Sequence, residues 1–202
     1  MLPIVEHDYT HGYKMMMENT KSIIETERLR LRNWQDQDFI PFQKINADQT
    51  VMEYYPSTLD ASETYLLIER IQNHFIQWGY GLYAVEYKEN NEFIGFTGLS
   101  HPRFQNDFTP CVEIGWRLDK NYWNKGLATE AAKAVLHYAF HSLDLDKIYS
   151  FTALSNTPSK RVMQKIGMTE LGTFYHPNID IQHPLCEHWL YKIDQIDYLS
   201  NQ

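Results

Sequence analysis

The chain has 202 residues, 43% of them hydrophobic, and 18 basic against 26 acidic side chains give it a net charge of −8. This length suits one α/β domain with a substantial core and is too short for two ordinary domains. The acidic balance argues against a nucleic-acid partner, because phosphate binding requires a basic face. No run approaches the roughly eighteen apolar residues of a membrane span, so we expect no membrane association.

The compartment is predicted from the N-terminus and the cysteines. Residues 1–18 lack the apolar segment of a signal peptide and carry acidic residues early. Cys111 and Cys186 do not make a disulfide framework and stand in apolar, strand-like runs. We therefore expect a cytoplasmic protein with two reduced, buried thiols.

Residues 1–21 are polar and show no hydrophobic period, which predicts an N-terminal extension before a single domain over residues 22–202. Hydrophobic periodicity predicts the elements of the first half of that domain. They are a strand over 22–33, helices over 34–46 and 62–78, and strands over 82–87, 92–99 and 111–118. Asn90 and Asn91 form the predicted hairpin turn between the strands 82–87 and 92–99.

The second half alternates helices and strands. The predicted elements are a helix over 128–140, a strand over 147–154, a helix over 158–166, and strands over 170–176 and 187–193. The helix over 128–140 is expected to bury Leu127, Ala131, Ala134, Val135 and Tyr138. This order of elements predicts an α/β (α+β) fold, with a mixed sheet flanked by helices.

The segment 122–131, Tyr-Trp-Asn-Lys-Gly-Leu-Ala-Thr-Glu-Ala, joins a predicted strand to a predicted helix. The N–H groups of a helix's first turn lack intrahelical partners and lie at the positive end of its dipole, so such a loop binds anions. Gly126 lets the backbone approach a phosphate closely. The chain has neither the Rossmann G-x-G-x-x-G nor the P-loop G-x-x-x-x-G-K-[ST]. We therefore predict a site for the pyrophosphate of another cofactor; an ordinary strand-to-helix turn is the alternative.

This loop resembles the acyl-CoA loop of the GNAT acetyltransferase superfamily, whose pattern is [Gln/Arg]-x-x-Gly-x-[Gly/Ala]. Gly126 and Ala128 match the pattern, whereas Trp123 occupies the Gln/Arg position. The run Trp-x-Lys-Gly-x-Ala-Thr-Glu-Ala is similar to the branch that includes the ribosomal-protein N-acetyltransferases of the RimJ/RimL type.

Other segments carry the same resemblance. Residues 156–168 resemble the second signature, Asn-x-x-Ser-x-x-(apolar)-x-x-Lys-x-Gly-(Phe/Met). Residues 24–32, 93–99 and 112–118 also match in order and spacing. The resemblance covers about residues 23–193, which is nearly the whole chain.

The resemblance implies a GNAT fold, in which a mostly antiparallel sheet contains a splayed parallel strand pair that admits the acyl-CoA arm. It implies direct transfer of an acetyl group from acetyl-CoA, without a metal, to a primary amine. A protein N-terminal α-amine is the favoured acceptor. A small amine (an amino acid, polyamine or antibiotic), an inactive acyl-CoA sensor and a peptide-binding module are the alternatives. Members of this branch are often dimers, so we expect a monomer or a homodimer.

The cofactor-binding residues follow from both signatures. We expect the pyrophosphate on the amides of Asn124, Lys125, Gly126, Leu127, Ala128 and Thr129. The side chain of Lys125 either adds a point charge there or lies in solvent. The resemblance implies that Asn156 orders the acyl-CoA arm and that Ser159 contacts CoA or the leaving sulfur; plain helix capping by Asn156 is the alternative.

Glu113 is the predicted general base. It stands in the strand that enters the loop, and a carboxylate flanked by apolar residues has its pKa raised by desolvation. The alternative is an outward-facing strand glutamate. Many family members carry a tyrosine proton donor where this chain has Met163. Protonation of the leaving thiolate then falls to water, Ser159 or Tyr175.

Three aromatic side chains, Trp78, Tyr80 and Tyr83, precede or open the strand over 82–87. We expect Trp78 and Tyr83, together with Tyr175, to line the acceptor pocket; a place in the core is the alternative.

Two further pairs predict no site. His137 and His141 stand four apart on a predicted helix, as metal ligands do, but no third ligand is evident. Cys186 and His188 share a face of a predicted strand, but no third residue is present to orient the histidine as a base.

Overall fold

A computed structural model describes residues 23–200, which form one eight-stranded sheet in the order β1-β2-β3-β4-β5-β6-β8-β7. The strands are β1 (Ile24–Glu25), β2 (Leu29–Arg32), β3 (Leu82–Tyr87), β4 (Glu92–Ser100), β5 (Glu113–Leu118), β6 (Lys147–Ala153), β7 (Thr169–Tyr175) and β8 (Glu187–Asp194). Only β5 and β6 pair in parallel; the other neighbouring strands are antiparallel. This confirms the predicted mixed, mostly antiparallel sheet. The predicted extension over residues 1–21 lies outside the described residues.

Residues 23–200 also contain five α-helices, four between strands and one after β8. They are α1 (Phe39–Ala47), α2 (Ala61–Trp78), α3 (Leu127–His141), α4 (Thr157–Lys165) and α5 (Gln195–Ser200), with 3₁₀ turns at Asp36–Asp38 and Lys120–Tyr122. Local sequence signals set the helix ends: Asp60 caps α2 in a capping box with Glu63, and Gly79 ends it in the left-handed conformation.

The structure corrects the predicted elements at three places. The single strand predicted over 22–33 is a hairpin, because Thr26 accepts a hydrogen bond from the Leu29 N–H (2.9 Å) and turns the chain. The helix predicted from residue 34 begins at Phe39, after the 3₁₀ turn. Helix α5 was not predicted.

The buried face of α3 also differs from the predicted one. Leu127, Ala131 and Val135 are buried as expected, whereas Ala134 and Tyr138 are only partly buried. Four further residues are buried instead: Ala132, Leu136, Ala139 and Phe140. The reason is that α3 packs against both the sheet and α4, so its apolar stripe is wider and rotated.

The sheet has two differently covered faces, because alternate residues of a strand point to opposite sides. The side packed against α3 and α4, here called the α3 face, contributes most of the larger hydrophobic core. Its strand residues include Tyr83, Leu99, Ile114, Ile148 and Tyr191.

The opposite side, here called the Glu113 face, carries Ala84, Phe96 and Glu113. Helices α1 and α2 cover its N-terminal half in a second, smaller hydrophobic cluster. The connection over residues 101–110 covers its C-terminal half. There Phe104 and Phe108 pack on the rings of Phe151 and Phe174.

Candidate active site

The parallel strands β5 and β6 separate soon after they meet. Their ladder has one residue pair, Glu113 with Tyr149, and the Tyr149 N–H donates to the Val112 carbonyl at 2.9 Å. One step further, the hydroxyl of Ser150 donates to the Ile114 carbonyl (2.9 Å). No β5–β6 residue pair follows among the described residues, so the strands open toward their C-terminal ends. This is the splayed pair that the resemblance implied.

The loop after β5 lies at the open end of this split. Asn124 and Gly126 both have left-handed backbone conformations, with φ of 60° and 77°. Gly126 is the N-cap of α3, and the first helical bond runs from the Glu130 N–H to its carbonyl (3.0 Å). The N–H groups of Leu127, Ala128 and Thr129, which lie between Gly126 and Glu130, lack intrahelical partners. This is the arrangement that binds an anion.

An ion pair that was not predicted holds this loop in place. Glu130, in the first turn of α3, accepts hydrogen bonds from the Thr26 hydroxyl (2.6 Å) and from the Arg28 Nε (2.7 Å). Arg28 also donates from Nη1 to the carbonyl of Lys125 at 2.9 Å. The guanidinium of Arg28, partly exposed and paired with Glu130, therefore lies beside the loop. The Nζ of Lys125 lies 4.9 Å from the ring centroid of Tyr122.

Asn156 caps helix α4. Its Oδ1 accepts the Ser159 N–H at 3.1 Å, and its Nδ2 donates to the Thr152 hydroxyl at 2.8 Å. The structure thus contains the helix cap that was the alternative role for Asn156. This cap fixes the Asn156 amide at the C-terminal end of β6. Ser159 lies half-buried in the first turn of α4.

Glu113 lies where the two parallel strands part. Its side chain is half-buried, and burial raises the pKa of its carboxyl group to about 8. A Cβ atom built on Gly115 would meet only Glu113 Oε1, at 4.0 Å, so the space over Gly115 is open. Glu113 therefore combines a carboxyl pKa near neutrality with access to open space, as a general base requires.

The aromatic residues predicted for the acceptor pocket lie in three different environments. Trp78 is 45% exposed and stacks on His101, with ring centroids 3.9 Å apart, at the edge of the Glu113 face. Tyr83 is fully buried on the α3 face between Phe75 and Tyr138, so it packs in the core. Its place was not predictable without the strand register.

Tyr175 and Met163 lie away from Glu113. Tyr175 is 58% exposed near the end of β7, and alternation turns it away from the face that carries its neighbour Phe174. Met163 is fully buried, so it packs in the core.

Two histidines near the site were missed by sequence reasoning. His74 Nε2 lies 3.0 Å from His101 Nδ1, and His74 Nδ1 lies 2.8 Å from the Tyr80 carbonyl. Burial lowers the pKa of both imidazoles. His101 follows Ser100, the register partner of Glu113. The two residues are 27 apart in sequence and no motif joins them.

The two pairs noted in the sequence are His137 with His141 and Cys186 with His188. His137 and His141 stack with ring centroids 4.0 Å apart. His188 Nδ1 lies 3.1 Å from the carbonyl of Cys186. Within residues 23–200 no group of three or more His, Cys, Asp or Glu side chains has the arrangement of a metal site, and no helix there is long and apolar enough to span a membrane.

A split parallel pair, a helix N-terminus with a glycine loop at its open end and a carboxyl group with a raised pKa at its vertex form the arrangement that the GNAT resemblance implies for an acyl-CoA-dependent acyltransferase. Comparison with known proteins agrees. Residues 28–169 match the family described as Acetyltransferase (GNAT) domain. The chain therefore belongs to the GNAT acetyltransferase family and is an N-acetyltransferase, as its loop and helix signatures predict.

Individual relatives support the same family. The chain is 33% identical over 156 residues to the uncharacterized N-acetyltransferase YnaD of Bacillus subtilis (strain 168), covering 75% of this chain and 85% of that one. It is similar to the crystal structure of a GNAT-family acetyltransferase from Bacillus anthracis, with a TM-score of 0.71 and 29% identity over 86% of this chain and 98% of that one. A spermidine N-acetyltransferase from Vibrio cholerae, solved with CoA and spermine, shares the fold at a TM-score of 0.69 and 22% identity, over 86% and 99% of the two chains.

Proposed function

We propose that this protein transfers the acetyl group of acetyl-CoA directly to a primary amine, and that a protein N-terminal α-amine is the first acceptor to test. The observation that carries the proposal is the order of features along one strand. Glu113 stands at the vertex of the split, the open gap follows, and the anion-binding loop comes at the end of β5.

The pKa of Glu113 supports an α-amine. A peptide α-amine has a reference pKa of about 7.7–8.0, close to the value of about 8 for Glu113, so proton transfer between them is nearly balanced. A lysine or polyamine ammonium, with a pKa near 10.4, would lose its proton to this carboxylate at a cost of about 3 kcal/mol.

The other residues have separate roles in this proposal. The amides of residues 124–129 hold the pyrophosphate, Asn156 orders the acyl arm, and Trp78 borders the acceptor. Acetyl-CoA supplies the activated thioester when bound. Glu113 accepts the proton of the amine, and the departing thiolate receives a proton from Ser159 or from water. Positioning and fixed amide dipoles provide most of the rate enhancement.

A small-molecule amine is the second candidate acceptor. Phe104 and Phe108 cover the face beside Glu113, which favours a short acceptor over a long chain. A spermidine N-acetyltransferase also has this fold, although a likeness of 22% identity carries no acceptor specificity.

Thermal melting with acetyl-CoA, CoA, ATP and NAD tests the cofactor, because a ligand of the native state raises the melting temperature by mass action. We expect both CoA species, and neither control, to stabilise the protein, by about 2.7 kcal/mol at a hundredfold excess over Kd. Thiol release with N-terminal peptides and small amines then identifies the acceptor. No stabilisation by millimolar acetyl-CoA would contradict the proposal, and stabilisation without thiol release from any amine would favour an inactive sensor.

A further inference from the structure

Arg117 lies on the Glu113 face of β5, four residues beyond the proposed base. Its Nη1 donates to Asn46 Oδ1 at 2.6 Å. Its guanidinium carbon lies 4.3 Å from the ring centroid of Tyr55 and 5.4 Å from that of Phe96. Its Nε is buried without a hydrogen-bond partner. The guanidinium is thus oriented and partly desolvated, and its only hydrogen bond within residues 23–200 is to a neutral amide.

The missing counter-ion sets Arg117 apart from the arginines of the first hairpin. Arg28 pairs with Glu130, Arg30 with Glu86, and Arg32 makes two bonds to Asp38 at 2.7 and 2.9 Å. No carboxylate of residues 23–200 lies within salt-bridge distance of Arg117.

The carboxylate just after the end of α1 does not form an ion pair with Arg117 either. Asp48, two residues beyond Asn46, is paired with Lys120. A partly buried guanidinium without a charged partner is costly, and its planar fork matches a carboxylate bidentately. Arg117 therefore has the properties of a receptor for an anionic group.

An open strip of backbone connects Arg117 to the base. Gly115 lies between Glu113 and Arg117 on the same face, and Gly98 pairs with Gly115 across β4. A Cβ atom at Gly115 would meet only the Glu113 carboxyl group within 4 Å. The Cα atoms of Glu113 and Arg117 are roughly 13 Å apart at about 3.3 Å per strand residue. An acceptor lying on this strip has one end at the base and the other at the guanidinium.

We propose that Arg117 determines acceptor specificity by binding a carboxylate that the acceptor carries several bonds away from its reacting amine. This inference rests on the proposed function, which it deepens. Asn46 holds the guanidinium in place, itself fixed by a 3.2 Å hydrogen bond to Thr64. Tyr55, which is 38% exposed, packs its ring against one side of the guanidinium. The carboxylate belongs either to a free amino acid or to an acidic side chain near a peptide N-terminus.

Matched acceptor pairs test this proposal on the wild-type enzyme. The first arm compares glycine, 4-aminobutyrate and 6-aminohexanoate with their amides. The second compares peptides that carry Asp or Glu at the second position with those that carry Asn or Gln. We expect kcat/KM to favour the carboxylate of the best pair by roughly 10- to 100-fold, mainly through KM, because a charge-assisted hydrogen bond is lost in the amide. The arm that shows the preference identifies the source of the carboxylate.

Variants then assign the preference to Arg117. Arg117→Met should reduce the carboxylate-to-amide ratio to about one while leaving the amide rates within a few fold, and Arg117→Lys should restore part of the ratio. Arg70→Gln, at an exposed position on α2, is the matched control and should leave the ratio unchanged. If Arg117→Met does not fold, the wild-type pairs and Arg117→Lys decide the question.

Three results would overturn the proposal. They are equal kcat/KM for both members of every pair, an Arg117→Met variant that slows both members equally, and no turnover of any carboxylate acceptor. In each case stabilisation by acetyl-CoA is measured on the same preparation. Its persistence would leave the cofactor site and the proposed function standing, whereas its absence would remove the function on which this inference rests.

Discussion

At the scale of single residues, we expect the carboxyl group of Glu113 to control the pH dependence of the reaction. Because burial raises its pKa to about 8, it is mostly protonated at pH 7 and becomes an effective base above pH 8. We expect kcat to rise through pH 8. Glu113→Gln should lower kcat by about 10²-fold or more and remove this limb.

The pH profiles of kcat for two acceptors with different amine pKa values separate the enzyme group from the substrate. The limb due to Glu113 stays at the same pH for both acceptors, whereas a limb due to the amine moves. An unchanged limb in Glu113→Gln would exclude Glu113 as the base.

Gly126 allows a second prediction at this scale. Gly79 has nearly the same backbone conformation as Gly126 but lies outside the proposed cofactor site, so it serves as the control. Their φ angles are 77° and 75°. An added Cβ meets only Arg28 Nη2 at 3.7 Å in the first case and nothing within 4 Å in the second. Alanine at either position should therefore cost about 1–2 kcal/mol of strain. We expect similar losses in melting temperature.

Only Gly126→Ala should also raise the KM for acetyl-CoA, by about tenfold if one charge-assisted amide contact is lost. Steady-state kinetics of both variants measure this. An equal KM effect in Gly79→Ala would show that strain, and not the pyrophosphate site, is responsible.

At the scale of elements, the Arg28–Glu130 ion pair ties the β1–β2 hairpin to the first turn of α3. Both groups are partly exposed, so Glu130→Gln should cost only about 1 kcal/mol of stability. The KM for acetyl-CoA should nevertheless rise several-fold, because Arg28 then loses the contact that holds it beside the loop.

Arg30→Gln is the control for this prediction. It breaks the ion pair between Arg30, in the same hairpin, and Glu86 on β3, and Glu86 keeps its second partner, Arg32. Differential scanning fluorimetry and initial rates give both quantities. If the two variants have the same KM, the ion pair is structural only.

At the scale of the whole molecule, buried titratable groups set the pH range of stability. Burial lowers the pKa of four histidines, namely His74, His101, His176 and His188. The unfolded chain therefore binds more protons than the folded protein below the ordinary histidine pKa of about 6.5, so the free energy of unfolding should fall as the pH drops below that value.

The titration of Glu113 has the opposite effect on how the free energy of unfolding depends on pH. Its folded pKa lies above its ordinary value, so its stabilising contribution is present at acid pH and is lost as the pH rises from about 4.5 through 8. We expect urea unfolding between pH 5 and 8.5 to show greatest stability near neutrality. Glu113→Gln should remove the alkaline decline, a gain of roughly 1–3 kcal/mol at pH 8.5 after allowance for partial exposure. A decline that persists in this variant would place its cause elsewhere.

The sequence by itself determined those features that depend on neighbours along the chain. The loop around Gly126, the cap at Asn156 and the strand-to-helix order are local, because helix termini and turns use residues within a few positions of one another. The same holds for Glu113, whose flanking apolar residues indicated its burial. These local features were enough to predict the family and most of the element boundaries.

Only the tertiary structure decided what depends on strand register and on distant contacts. Strand alternation within the sheet placed Tyr83 in the core and opened the surface over Gly115. Glu130 meets Arg28 from 102 residues away, and Asn46 meets Arg117 from 71 residues away. Such pairs follow from the pairing of strands and the packing of helices across the sheet, which no local pattern specifies. The proposed cofactor loop around Gly126 can thus be recognised in the sequence. The proposed acceptor site around Glu113 and Arg117 exists only once the sheet has formed.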